Sequence, residues 1–126
     1  MADEKKAITI DECLWYLFQC RDQVHLWHFQ TKSFAEHKAL NELYDFILNS
    51  ADEIIEVWQG NERRVAGMMP IKTAPYKDNE TISTYLGQVM EWLGRLRSET
   101  PYEEMPNLID NLTAKLAQTI YLLTLK

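Results

Sequence analysis

With 126 residues the chain has room for one domain and not for two. A composition of 46% hydrophobic and 25% charged residues, with 4 Gly and 4 Pro, excludes a disordered, collagen-like or low-complexity chain. The 13 Lys+Arg against 19 Asp+Glu give a net charge of −6, which excludes an overall positive field for nucleic acid or an anionic membrane surface and favours cations as partners.

The first residues, MADEKKAIT, are charged and have no apolar segment behind them. No run approaches the roughly 18 apolar residues of a spanning helix, so the chain is expected to carry neither signal peptide nor anchor and to be cytoplasmic. The first helix is predicted from Thr9, with Glu12 three residues on as a capping box, through Leu14, Leu17, Phe18, Val24 and Trp27 to about Thr31. Cys13 and Cys20 fall on one face of it, about 10 Å apart along the axis, too far to bridge. They read as two small apolar residues in a helix seam.

Ser33 with Glu36 repeats the box, and Leu40, Leu43, Tyr44, Ile47, Leu48, Ile54, Ile55 and Trp58 carry a long second helix to about Gly60. The link between the two is so short that they must form an antiparallel pair. From Asn61 to Asp78 the pattern dissolves around Gly67, Pro70 and Pro75, which marks a crossover holding at most a short turn. Ile82, Tyr85, Leu86, Val89, Leu93 and Leu96 predict a third helix, on which Gly87 and Gly94 would let a neighbour approach closely. After Pro101 and Pro106, Leu108, Ile109, Leu112, Leu116, Ile120 and Leu123 predict a fourth. The expected architecture is an all-α antiparallel four-helix bundle with one longer crossover between the second and third helices, over a single domain spanning 1–126.

All three histidines, His25, His28 and His37, lie within residues 25–37 and straddle the first hairpin turn. If the chain folds about residue 32 or 33, His28 lies level with His37, and His25 lies about 4.5 Å further along. Further down the second helix stand Asp52, Glu53 and Glu56, of which Asp52 and Glu56 are one turn apart and point the same way. Each set alone also fits ordinary polar or solvated residues. Together they set His25, His37, Asp52 and Glu56 on two consecutive helices.

That series, with a histidine twelve residues after the first and then Asp-x-x-x-Glu in the next long helix, resembles the ferroxidase motif of the Dps-type miniferritins. The stretch His25 to Gly60 is similar also in Phe34, three residues before His37, and in the Glu-Leu-Tyr-Asp run from Glu42 to Asp45. The resemblance implies a ferritin-like bundle that binds iron at an intersubunit site of His25, His37, Asp52 and Glu56 and oxidises Fe(II) with peroxide or oxygen, for storage or detoxification. It further implies self-association as a two-fold dimer and a larger cage. Family members usually carry Trp directly after the first histidine; here Leu26 precedes Trp27 and His28 follows. His25 fits the first ligand by spacing and His28 by hairpin level, so either or both could serve. The crossover is shorter than in the family. The start lacks the family's Lys/Arg-rich DNA-coating extension, with Lys5 and Lys6 set against Asp3 and Glu4, and no nucleic acid or membrane partner is expected.

Independent of the resemblance, residues 37 and 52 are about 22 Å apart on a continuous helix, so no single ion touches both within one chain. Pairing the second helix with its own copy about a two-fold axis brings the histidines of one subunit to the carboxylates of the other, twice per dimer. The third and fourth helices contain no histidine, which excludes the usual intrasubunit di-iron set. Imidazole and carboxylate ligands suit Fe(II), with Zn(II) or Mn(II) able to substitute. Trp27 beside the ligands reads as packing ahead of a sink for oxidising equivalents. Two rival readings are a helical oligomerisation or partner-binding protein with no metal site, and a DNA-protecting protein.

Overall fold

Each of the first three helices begins where the chain supplies an acceptor for its free amides. In the computed structural model, which describes residues 6–125, Thr9 caps α1 (Ile10–Gln30), Ser33 caps α2 (Phe34–Asn61) and Asp78 caps α3 (Asn79–Glu99). The fourth, α4 (Met105–Leu122), has no side-chain cap but carries proline in its first turn, where a missing N–H costs nothing. There is no strand among the described residues. The basic and acidic residues of the chain's start, Lys5 with Asp3 and Glu4, lie outside the described residues.

Apolar residues recur at three and four positions on every helix, as in Ile10, Cys13, Leu17, Cys20, Val24 and Trp27 of α1 and Ile82, Leu86, Val89, Leu93 and Leu96 of α3. These stripes meet in one buried cluster drawn from all four helices. Both cysteines are buried in it as small apolar residues, and burial pushes each thiol up to about 12. Trp27 packs in the same cluster. No helix is long and apolar enough to cross a membrane among the described residues.

Hydrogen bonds at the helix ends fix the directions. Asp11 at the start of α1 pairs with Arg63 after the end of α2, and Asn61 bonds Glu104 at the start of α4. Asn79 at the start of α3 reaches both Glu36 at the start of α2 and the carbonyl of Leu123 after α4. The α1 and α4 helices therefore run toward the first hairpin, and α2 and α3 run away from it. The backbones approach most closely between α1 and α2, α2 and α4, and α3 and α4. Large rings fill the α1/α3 seam instead, with Tyr16 stacked on Trp92 at 4.0 Å and Trp27 edge-on to Tyr85 at 5.4 Å.

The direction of α3 requires the connection 62–78 to climb the whole bundle, and it does so as an extended strap along α1. An extended chain gains about 3.3 Å per residue against 1.5 Å for a helix, so residues 66–76 span the length from Asp11 to Gln30. Side chains of α1 answer the strap's backbone at successive levels. Asp11 accepts the amide of Ala66, and the Trp15 indole donates to the carbonyl of Pro70. Gln19 accepts from Lys72, and Gln30 from Tyr76. Gln23 closes a double bond with Ala74, accepting its amide at 2.7 Å and donating to its carbonyl at 2.8 Å. Gly87 and Gly94 depart from expectation: a Cβ at either would meet nothing within 4 Å, so no helix of this chain approaches them.

Candidate functional site

The hairpin between α1 and α2 is closed by its own polar residues. The amide of Thr31 bonds the carbonyl of Trp27, its hydroxyl accepts from the amide of Ser33, and the Ser33 hydroxyl accepts from the amide of Glu36. So tight a turn lays the last turns of α1 on the first turns of α2, and the histidines meet as the spacing requires. His28 stacks on His37 with ring centroids 3.9 Å apart and planes at 23°. His25 stacks on Tyr44 at 4.0 Å and 14°, and its centroid is 5.6 Å from that of His28. Phe29 stands edge-on to His28 at 4.9 Å.

The three imidazoles differ in what surrounds them. His37 is exposed, and its Nδ1 lies 2.8 Å from the carbonyl oxygen of His28. A carbonyl only accepts, so Nδ1 carries the hydrogen, and a neutral His37 keeps its lone pair on Nε2. His28 is 5% exposed. Burial holds its pKa below the ordinary value of 6.5, and the neighbouring His37 and His25 add to that, opposed by the Asn41 side chain. His25 is half-buried on the Tyr44 face.

Asp52, Glu53 and Glu56 are exposed on α2 and make no hydrogen bond or ion pair among the described residues. On an ideal helix Asp52 is about 60° around the axis from His37 and Glu56 about 100°, so both carboxylates share the broad outer face of α2 with the histidine but lie about 22 Å and more along it. The structure thus brings His28 to His37 and leaves the carboxylates apart from them. Among the described residues, no three His, Cys, Asp or Glu side chains converge on a position that could hold an ion.

Two polar features escape a reading built on apolar periodicity. Glu36, 6% exposed, turns its carboxylate away from the capping position and accepts from the Thr31 hydroxyl, the Tyr76 hydroxyl at 2.8 Å and the Asn79 amide at 2.6 Å. The strap-binding side chains Asp11, Trp15, Gln19 and Gln23 recur every four residues, a spacing that places them on one face of α1 and was the available signal. Between the strap, α1 and α3 lies a cleft of about 710 Å³, lined in part by Lys72, Lys77, Glu80 and Thr84, that contains none of the histidines or the carboxylates of α2.

A family described as a family of unknown function (DUF5856) matches residues 28–123, a stretch that includes His28, His37, Asp52 and Glu56. The chain is also similar to an uncharacterised 14.6 kDa protein from the mobD-ri intergenic region of Enterobacteria phage T4. The two are 30% identical over 127 residues, covering 96% of this chain and 92% of that protein. No solved structure matches.

Proposed function

The chain belongs to the DUF5856 family of unknown function, and on its own side chains we propose that it is a miniferritin-like protein that binds Fe(II) between the histidines of one subunit and Asp52 and Glu56 of a two-fold partner and oxidises it. The observation that supports this reading is the distance between the histidine cluster at the α1–α2 hairpin and Asp52 and Glu56 further along α2. Imidazoles gather at the hairpin end of α2, and carboxylates without partners stand on the same outer face further along. Antiparallel pairing of α2 with its own copy superposes the two halves and builds two equivalent sites. The helix directions support the ferritin-like form of the bundle, because α1 and α4 run opposite to α2 and α3 and a single long crossover joins α2 to α3.

In this reading the histidines and the partner's acids, which make up the ligand set of His25, His28, His37, Asp52 and Glu56, hold iron as substrate. Imidazole suits Fe(II), and the hard carboxylate oxygens favour the Fe(III) product. Two Fe(II) ions give up two electrons to one peroxide, which leaves as two hydroxide ions. Zn(II) and Mn(II) fit the same donors, and growth of the dimer into a cage would let the acidic chain draw cations inward.

The test is anaerobic Fe(II) titration followed by oxidant, on the wild type and on the variant combining Asp52→Ala with Glu56→Ala. The variant is expected to lose at least about tenfold in oxidation rate, and equal rates in both proteins would end the reading. A second reading is favoured by Phe29 and Phe34, 70% and 77% exposed on either side of the hairpin turn, which offer an apolar tip to a helical partner. A wild type that associates but takes up no Fe(II) would select that alternative.

A further inference from the structure

From Pro70 to Tyr76 the hydrogen bonds between the strap and α1 alternate along the chain. The groups that α1 binds are the carbonyl of Pro70, the amide of Lys72, both groups of Ala74 and the amide of Tyr76. All belong to even-numbered residues. In an extended chain the amide and carbonyl of one residue point to the same side, and those of the next residue to the opposite side. Ala74, whose amide and carbonyl both meet Gln23, follows that rule. The odd-numbered Met69, Ile71 and Thr73 therefore turn their backbone groups away from α1, and among the described residues no hydrogen bond reaches them. Met69 is 52% exposed and Thr73 is exposed, so this edge is open. An unpaired edge of extended chain is a template for another strand.

We propose that the strap pairs antiparallel with the strap of a second copy, about a two-fold axis through Ile71. The limits of the edge select that occupant and its register. Gly67, four residues before Ile71, gives its amide to Asp11, and Pro75, four residues after it, has no amide to give. The free edge is thus bounded equally on both sides of Ile71, the self-complementary form that a two-fold contact requires. A copy centred there sets Ile71 against Ile71 and Met69 against Thr73, and each pair exchanges both of its N–H···O=C bonds. A shift of two residues sets Met69 against Pro75 or Thr73 against Gly67 and leaves a group without its partner. Pro70 lacks its amide on the side that faces α1, so it does not interrupt the outer edge. Between the bonded pairs Lys72 of one strap lies opposite Pro70 of the other, and no like charges meet. This contact is separate from the outer face of α2 and does not rest on the iron reading. Together with pairing through α2 it would join copies beyond a dimer.

The test uses the full chain, with association followed by sedimentation, amide hydrogen exchange across a dilution series, and intermolecular NOEs in a mixture of isotope-labelled and unlabelled protein. The amides of Met69, Ile71 and Thr73 are expected to gain protection as concentration rises, with an intermolecular NOE between Pro70 and Lys72. Ile71→Pro removes an amide that α1 does not bind, whereas Ile71→Ala trims the side chain and keeps the amide. The proline variant should weaken association by about tenfold or more and the alanine variant by less than about fivefold, with Ala74 still protected in both. A dimer whose strap amides stay open overturns the proposal and leaves pairing through α2 standing. A chain that stays monomeric, or association unchanged in Ile71→Pro, also overturns it. Strap amides that stay open in the pure protein and close only when a synthetic peptide of alternating Thr and Val is added overturn it too, and make the edge a docking site for foreign peptides.

Discussion

At the scale of single residues, Glu36 does more for the fold than its place in a helix cap suggests. Ser33 keeps its half of the capping box, but the carboxylate of Glu36 is drawn inward by donors from the end of α1, the strap and the start of α3. Burial alone would raise its pKa, yet the bonds from Thr31, Asn79 and Tyr76 outweigh that and hold it below the ordinary value of 4.5. A carboxylate with a depressed folded value binds its proton later than the unfolded chain does. Its stabilisation is therefore complete above about pH 4.5 and is lost as the pH falls through the folded value. The isosteric Glu36→Gln removes the charge and sets an amide donor against the donors of the network. It should cost about 1–3 kcal/mol at neutral pH and flatten the acid limb of the stability curve, as read by thermal melting of both proteins between about pH 6 and pH 3. Parallel acid limbs in the two proteins would show that Glu36 carries no linkage.

At the scale of elements, what the chain discloses depends on which physical signal encodes it. The four helices are legible because burial imposes a period of 3.6, and the starts of the first two because Thr9 and Ser33 are side chains that accept from free amides. The strap is not legible in the same way. Its residues 62–78 carry no period, and the α1 side chains that bind its backbone sit more than forty positions away, as with Gln23 and Ala74. The same limit applies to the site. The hairpin turn fixes that His28 is level with His37, but spacing cannot say which ring stacks on Tyr44 and which is enclosed, since that depends on side-chain packing. Gly87 and Gly94 show the opposite error, in which a spacing suggested a close helix contact and the packing provides none. Neither glycine has a positive φ, so alanine is free to adopt the same helical backbone. Each Gly→Ala change should therefore stabilise the protein, the pair by about 1–2 kcal/mol, seen as a higher melting temperature. A lower one would mean that a second copy packs on that face of α3.

At the scale of the whole molecule, the intersubunit reading makes a claim about symmetry that one protein variant alone cannot examine. In a two-fold dimer each site takes its histidines from one subunit and its acids from the other. A chain with His37→Ala and a chain with both Asp52→Ala and Glu56→Ala each form dimers in which both sites are broken. When the two are mixed and allowed to exchange subunits, statistical pairing makes about half of the dimers mixed. Each mixed dimer joins the intact histidines of one chain to the intact acids of the other, restoring one site of its two. About a quarter of the wild-type Fe(II) oxidation rate should then return, from two proteins that separately show almost none. Recovery of that size cannot arise if the four residues act within a single chain, because neither chain carries a complete set. An inactive mixture whose subunits have demonstrably exchanged, by native mass spectrometry of isotopically distinct chains, would place the chemistry elsewhere on the bundle.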